Sequence, residues 1–247
     1  MQSPNQKKKS VFISGSRNCP NIPALVQESL KKIVDQKILI RIGDSEQGVD
    51  YAICNLLRAD SYYPYVEIYT IKSVPRIPIE AGWTVHHVIP NSNMQGQEAQ
   101  MAKDRQMAWA ADWGLAVFMP TTINWRGQLV VSAGTLRNVI QMLLQQKQVK
   151  LFYWYEGECR SANLKVLKDL EKILENYKNE YLFEDLNFQI RKCRGFQPEK
   201  TPVEFRYEKI MEKYQALLKK ETKLMEKFQN SIEDQSATQF QQKLLFG

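Results

Sequence analysis

SVFISGSR at residues 10–17 is the stretch that decides the fold, because a short apolar run ends there in a glycine and a polar turn. A helical stripe follows in ALVQESLKKIV (24–34), where apolar residues recur at spacings of three and four. ILIRI (38–42) is a second apolar run, stopped by Gly43 and Asp44. Strand, helix and strand in this order predict a parallel unit of a covered sheet.

The alternation continues along the chain. A helix is predicted from Val49 to Leu57, and further strands are predicted in YVEIYTI (65–71), GLAVFM (114–119) and VKLFYW (149–154), the last two separated by a helix that begins near Thr135. Residues 72–100 are less regular and include a short predicted strand at 85–89. We therefore expect an α/β fold, a Rossmann-like parallel sheet with helices on both faces, followed by a mainly helical C-terminal segment.

The predicted domain organisation has five parts. Residues 1–9 form a basic flexible tail, 10–155 the Rossmann-like domain, 156–198 a mixed connecting segment packed on it, 199–235 an amphipathic helix and 236–247 a tail. The helix carries a heptad-like stripe interrupted once by a glutamate, at Val203, Tyr207, Ile210, Tyr214, Leu217, Glu221, Leu224 and Phe228. The 203–228 stripe either contacts a second copy or a partner protein, or covers the core of its own domain.

The composition narrows the class of protein. The chain has 247 residues, a hydrophobic content of 43% and a formal net charge of +7. These values exclude a fibrous or wholly disordered chain, and no apolar run approaches the roughly 20 residues of a membrane span. We expect a soluble, cytoplasmic protein with no membrane contact. The basic residues are dispersed, which argues against a dedicated nucleic-acid groove.

The cysteines and histidines do not form a metal-binding pattern. The 4 cysteines contain no CxxC pair, and the 2 histidines, His86 and His87, are adjacent on a predicted strand. We therefore predict no metal site and no cofactor.

Three loops lie between predicted strands and the helices that follow them, on the side of the sheet where ligands bind in parallel α/β folds. The first loop is Gly15-Ser16-Arg17, with a glycine for close approach and a guanidinium suited to phosphate. The second loop, residues 43–50 (GDSEQGVD), has Gly43 and Gly48 around a polar turn at a helix start.

The third loop, residues 132–138 (SAGTLRN), opens the next helix, where Gly134 and Thr135 are suited to holding a phosphate. Ordinary turn chemistry and helix capping explain the same residues. In the second loop, Asp44 is a candidate for ribose hydroxyls, and Asp50 is either functional or a first-turn acid that balances the helix dipole.

These segments resemble the SLOG superfamily, which includes the Lonely-Guy phosphoribohydrolases, DNA-processing protein A and the YspA-like proteins. VFISGSR, GDSEQGVD, KDRQMAWAADWGLAVF (103–118) and SAGTLRNVIQMLLQQKQVKLFYW (132–154) carry the resemblance, which is closest to the YspA-like branch and covers residues 10–155. It implies a Rossmann-like fold that binds a nucleotide, nucleoside or ADP-ribose-like ligand. The site residues it implies are Gly15, Ser16, Arg17, Gly43, Asp44, Gly48, Asp50, Asp104, Arg105, Gly134 and Thr135.

One departure from the family bears on catalysis. The phosphoribohydrolases have a glutamate where Asn138 stands in this chain. An amide hydrogen-bonds a ribose but does not act as a general base or stabilise a cationic centre by charge. Glu46 and Asp50 of the second loop are the candidates to supply the missing carboxylate.

An aromatic residue near these loops is a candidate for base stacking. Trp125 lies in the polar loop TTINWRGQ (121–128) beside Arg126. The function favoured by the sequence is the binding or sensing of a nucleotide or nucleotide-derived ligand. The alternatives are an N-glycosidic-bond hydrolase or transferase acting on nucleosides or nucleotides and, third, a protein that binds single-stranded nucleic acid.

Overall fold

The computed structural model describes residues 8–19, 21–59, 63–89, 94, 96–123, 129–155, 158–178 and 207–246. The strands are β1 Ser10–Gly15, β2 Leu39–Gly43, β3 Val66–Thr70, β4 Thr84–His87, β5 Trp113–Phe118, β6 Thr121–Ile123, β7 Leu129–Val131, β8 Val149–Tyr155 and β9 Glu158–Leu164. The helices are α1 Ala24–Asp35, α2 Val49–Ala59, α3 Gln97–Ala110, α4 Ala133–Leu144, α5 Leu167–Glu175 and α6 Tyr207–Phe246.

Seven of these strands form one sheet in the order β4-β3-β2-β1-β5-β8-β9. Every pairing is parallel except that of β9, which runs antiparallel to β8 at the edge. Strands β6 and β7 form a separate antiparallel pair. The α/β, Rossmann-like prediction is confirmed.

Helices cover both faces of the sheet. Successive residues of each strand point to opposite faces, and apolar residues on both faces pack against the helices. In β1, Val11 and Ile13 enter a core formed with α1 and α2. Phe12, between them, enters the opposite core, which is formed with α3, α4, α5 and α6. The near-continuous apolar character of β1 follows from this burial on two sides.

The structure corrects the bounds of one predicted strand and adds elements that the sequence pattern did not predict. The irregular stretch 72–100 contains β4, at Thr84–His87 rather than 85–89, and the start of α3. The sheet also continues past residue 155, because β9 pairs with β8. Most residues of β9 are exposed or half-buried, so the strand lacks the apolar run that marked the others.

The final helix packs on its own domain. Its residues Ile210, Tyr214, Leu217 and Glu221 are buried, and it contacts α4 and α5. The Tyr214 hydroxyl donates to Oε1 of Glu171 on α5 at 2.9 Å. The helix runs on without interruption past residue 235 to Phe246.

Parts of the predicted organisation lie outside the described residues. These are residues 1–7 of the basic tail, residues 179–206, which include Val203 of the stripe, and Gly247. Among the helices within the described residues, none combines the length and the apolar character that a membrane span needs.

The first and second loops approach each other too closely for any residue but glycine. Gly48 has a φ of +72°, and a Cβ placed on it would lie 2.4 Å from the Cα of Arg17. Gly15 packs on Val49 in the same way, because an added Cβ would lie 2.4 Å from a methyl group of that valine. Two glycines thus hold the two loops together.

We expect Gly48→Ala to lower the free energy of unfolding by about 3 kcal/mol or more, because it combines a left-handed backbone with a clash against backbone atoms. Gly134→Ala is the matched control, since nothing beyond the adjoining residues and the backbone of α4 lies within 4 Å of its added Cβ. The control should be neutral or stabilising by up to about 1 kcal/mol. Urea denaturation measures both, and equal effects would contradict the assigned contact.

Candidate functional site

A cleft of about 1470 Å³ opens at the carboxyl ends of the parallel strands. Its walls come from the first loop, the second loop, the third loop, α3 and the first turns of α6. The chain places β2 on one side of β1 and β5 on the other, so the cleft lies at the topological switch point of the sheet. This is the edge at which the sequence placed the function.

Ser16 ties the first loop to β5 and to the third loop. Its buried hydroxyl accepts a hydrogen bond from the backbone N–H of Met119 at 3.0 Å and lies 2.9 Å from the Ser132 hydroxyl. A further contact of 3.5 Å joins it to the Thr135 hydroxyl. Ser16 and Thr135, two of the residues predicted from the sequence, are thus in contact.

The contact with Ser16 leaves the start of α4 without a side-chain cap. Ser132 is the N-cap residue, yet within the described chain its side chain makes no capping hydrogen bond. The first N–H groups of a helix otherwise need a partner, and the helix dipole favours an anion there. Apart from the adjoining residues and the backbone of α4 itself, nothing lies within 4 Å of a Cβ placed on Gly134, and Gly134 lines the cleft. This helix end is therefore open to the cleft.

Asp44 lies beneath the cleft, and its carboxylate contacts two cationic side chains, those of Arg76 and Lys103. The Thr70 hydroxyl donates to Oδ2 at 2.7 Å, and the Arg76 guanidinium donates to Oδ1 at 2.8 Å. The Lys103 ammonium lies 3.5 Å from Oδ1. Burial alone would raise the pKa of Asp44, but the bonds from Arg76 and Thr70 and the charge of Lys103 outweigh it and lower this pKa to about 2.

Lys103 is a cleft residue that sequence reasoning missed. Its side chain is buried, and Nζ lies between Oδ1 of Asp44 at 3.5 Å and Oδ1 of Asp104 at 3.8 Å. The Asn138 amide donates to Oδ2 of Asp104 at 3.4 Å. A carboxylate therefore stands beside Asn138.

Asp50 faces the cleft from the first turn of α2. Burial raises its pKa to about 6, with a further contribution from the negative charge of Asp104, while Lys103 and Arg17 act in the opposite direction. Its environment therefore differs from that of Asp44. Two carboxyl groups of one loop have pKa values on opposite sides of the ordinary value for aspartate.

The structure brings most of the predicted site residues together. Those that line the cleft are Gly15, Ser16, Arg17, Gly43, Asp50, Asp104, Gly134, Thr135 and Asn138. Four others lie outside the lining: Asp44 beneath it, Gly48 behind the first loop, Glu46 exposed and Arg105 half-buried. Trp125 lies outside the described residues.

Several further lining residues carry charge. Arg137 comes from α4, and Lys209, Glu212 and Lys213 come from α6. Arg137 stands in the third-loop motif SAGTLRN, so its position next to Asn138 was a usable signal. The α6 residues had none, because nothing in a heptad pattern indicates which distant loop it crosses.

The fold and the cleft define a Rossmann-like protein with an anion-compatible site at its switch point. Among the described residues, no group of three or more histidine, cysteine, aspartate or glutamate side chains is arranged to hold a metal ion. No protein-family model, curated protein or solved structure matches the chain.

The raised pKa of Asp50 predicts a pH-dependent effect of Asp50→Asn. The folded protein disfavours the ionised form of Asp50, so ionisation of this group lowers the free energy of unfolding. This loss of stability is absent below about pH 4 and complete above about pH 6 to 7. Asp50→Asn should be as stable as the parent near pH 4 and more stable by about 1–3 kcal/mol at pH 7. Urea unfolding across this range measures the difference. Glu46→Gln, which removes an exposed carboxylate from the same loop, is the control, and a pH-independent gain in Asp50→Asn would contradict the assignment.

Proposed function

We propose that this protein binds a phosphate-bearing nucleotide or nucleotide-derived ligand, such as ADP-ribose, in the cleft at the switch point. The observation that carries the proposal is the uncapped start of α4. Backbone N–H groups and the helix dipole there face an open cleft, because the Ser132 hydroxyl is bonded to Ser16 instead.

Cationic side chains support a phosphate at this end of the cleft. Arg17 follows Ser16 in the first loop, Arg137 lies in the second turn of α4, and both line the cleft. Each guanidinium offers two parallel donors to phosphate oxygens. Two elements that are far apart in sequence thus contribute positive charge to the cleft.

Hydrogen-bond acceptors support a ligand that also carries donors. Asp104 and Asn138 line the cleft, and Oδ1 of Asn138 is buried without a hydrogen-bond partner among the described residues. Buried acceptors are normally satisfied, so a donor from a ligand, such as a ribose hydroxyl or an exocyclic amine, fits here. The cleft also exceeds the usual size range of pockets for single small ligands, which favours an extended molecule.

Gly134→Asp tests the phosphate end of the site. The added carboxylate lies at the start of α4, where its negative charge interacts favourably with the helix dipole. This interaction stabilises the fold by about 0.3–1 kcal/mol, so the variant should fold. It should repel a phosphate and weaken binding by about tenfold or more. Calorimetric titration with AMP, ADP and ADP-ribose gives the affinity. Gly134→Ala controls for the added Cβ, and unchanged binding in Gly134→Asp would place the ligand elsewhere.

A thermal-shift panel tests the proposal as a whole. AMP, ADP, ATP, NAD and ADP-ribose should stabilise the protein more than adenosine, because a ligand stabilises the state that it binds. Chromatography of each mixture afterwards shows whether the ligand is intact. Failure of every phosphate-bearing compound at millimolar concentration would refute the proposed function.

A second candidate is N-glycosidic-bond hydrolysis or transfer, which one observation favours. Asp104 accepts a hydrogen bond from Asn138 and lies 3.8 Å from the Lys103 ammonium. If the resemblance to the phosphoribohydrolases holds, this carboxylate stands next to the position at which they have a glutamate. Asp50, with its raised pKa, is a second carboxyl group on the cleft wall. A pair with different environments is suited to divided acid and charge-stabilising roles.

If the enzyme proposal is correct, Asp104→Asn should lower base release from a nucleotide substrate by about 100-fold or more, because it removes the stabilising negative charge. Binding of the same nucleotide should change much less. Product formation is followed by chromatography, with Glu98→Gln as the control, because it removes an exposed carboxylate from the same helix as Asp104 at a position outside the cleft lining. If the nucleotide is still intact after prolonged incubation with the parent protein, the enzyme proposal is refuted and only the binding proposal remains.

A further inference from the structure

The glutamate that interrupts the stripe of α6 is buried against α4. Glu221 is 1% exposed, and its Oε2 accepts a hydrogen bond from the Gln141 amide at 2.8 Å. Its Oε1 lies 3.7 Å from Nε of Arg137. The interruption is therefore a polar contact between helices.

This ion pair is held by charge rather than by a hydrogen bond. Within the described chain, neither Oε1 of Glu221 nor Nε of Arg137 has a hydrogen-bond partner, although both atoms are buried. Burial lowers the pKa of Arg137, and the negative charge of Glu221 acts against that effect. Each side chain thus supplies the countercharge that makes burial of the other tolerable.

Arg137 also lines the cleft, in the α4 turn that follows its open N-terminus. A phosphate bound at that N-terminus would offer the guanidinium charged acceptors with the geometry for paired hydrogen bonds. These are a better partner than a carboxylate at 3.7 Å that accepts none of its N–H groups in this contact. The same cation therefore stands between two competing anions, one from the chain and one from the ligand.

Resting on the proposed function, we infer that Glu221 is an internal counter-ion of Arg137 and that a phosphate in the cleft replaces it, which loosens α6 from α4. Once Arg137 turns to the phosphate, Glu221 keeps its bond from Gln141 but loses its countercharge, and a buried uncompensated carboxylate is unfavourable. Occupancy of the cleft is thereby linked to the docking of α6. Linkage is reciprocal, so weakening the docking must tighten the binding.

Glu221→Gln tests the inference. The substitution keeps the shape and an acceptor for Gln141 but removes the competing charge. We expect ADP-ribose, AMP and inorganic pyrophosphate to bind about five- to tenfold more tightly than to the parent protein, within the usual range of such coupling. Glu226→Gln is the matched control, because it removes the same charge from an exposed site on α6 that does not line the cleft. It should bind like the parent.

A double-substituted protein separates this effect from a general change in stability. In an Arg137→Gln background, Glu221→Gln should no longer tighten binding, because the competition needs the arginine. Amide hydrogen exchange supplies an independent readout. ADP-ribose should raise exchange within residues 207–228 of the parent protein, and adenosine, which has no phosphate, should not.

The outcomes distinguish the inference from the function on which it rests. If the parent protein binds ADP-ribose, AMP or pyrophosphate but Glu221→Gln binds them equally or more weakly, or exchange in α6 falls on binding, the counter-ion role is refuted and the proposed function stands. If the parent, Glu221→Gln and Glu226→Gln all bind none of the three compounds, the proposed function fails and the inference fails with it.

Discussion

The arrangement of the cleft depends on the contacts of one buried group, the hydroxyl of Ser16. It accepts the N–H of Met119 at the end of β5 and meets the hydroxyl of Ser132 at the start of α4. One atom thus joins the first loop, the fifth strand and the third loop at the switch point. Because Ser132 is used in this way, its side chain does not cap α4. The same contact that closes the packing therefore leaves an anion-compatible helix end open.

Much of the fold follows from hydrophobic patterning, because strands buried on two sides carry continuous apolar runs. SVFIS and ILIRI identify β1 and β2, and the glycines after them mark the loops. The edge strand β9, ECRSANL, was missed since one-sided or partial burial leaves no such run. The pair β6–β7 was missed because strands of 3 residues are too short for a period to show.

The site was less accessible from the sequence than the fold. Position after a strand was enough to locate Arg17 and Gly43 at the cleft, and position at a predicted helix start was enough to locate Gly134. Lys103 was not identifiable, because a lysine in a helix is normally solvated, and only the tertiary structure places it between two aspartates. Asp44 shows the converse, since a residue with the right type and position for a ligand is engaged instead by Arg76 and Thr70.

The role proposed for α6 follows from the difference between two kinds of buried ion pair, one whose members also share hydrogen bonds and one whose members share only charge. Asp44 and Arg76 share hydrogen bonds as well as charge, so a ligand has little to offer either of them. Arg137 and Glu221 share charge without a hydrogen bond, so the arginine retains donors for a better acceptor. A helix that packs by apolar residues alone has no such opening, because nothing in the cleft competes with its contacts. The glutamate in the apolar stripe is thus the feature through which binding in the cleft would reach the C-terminal helix.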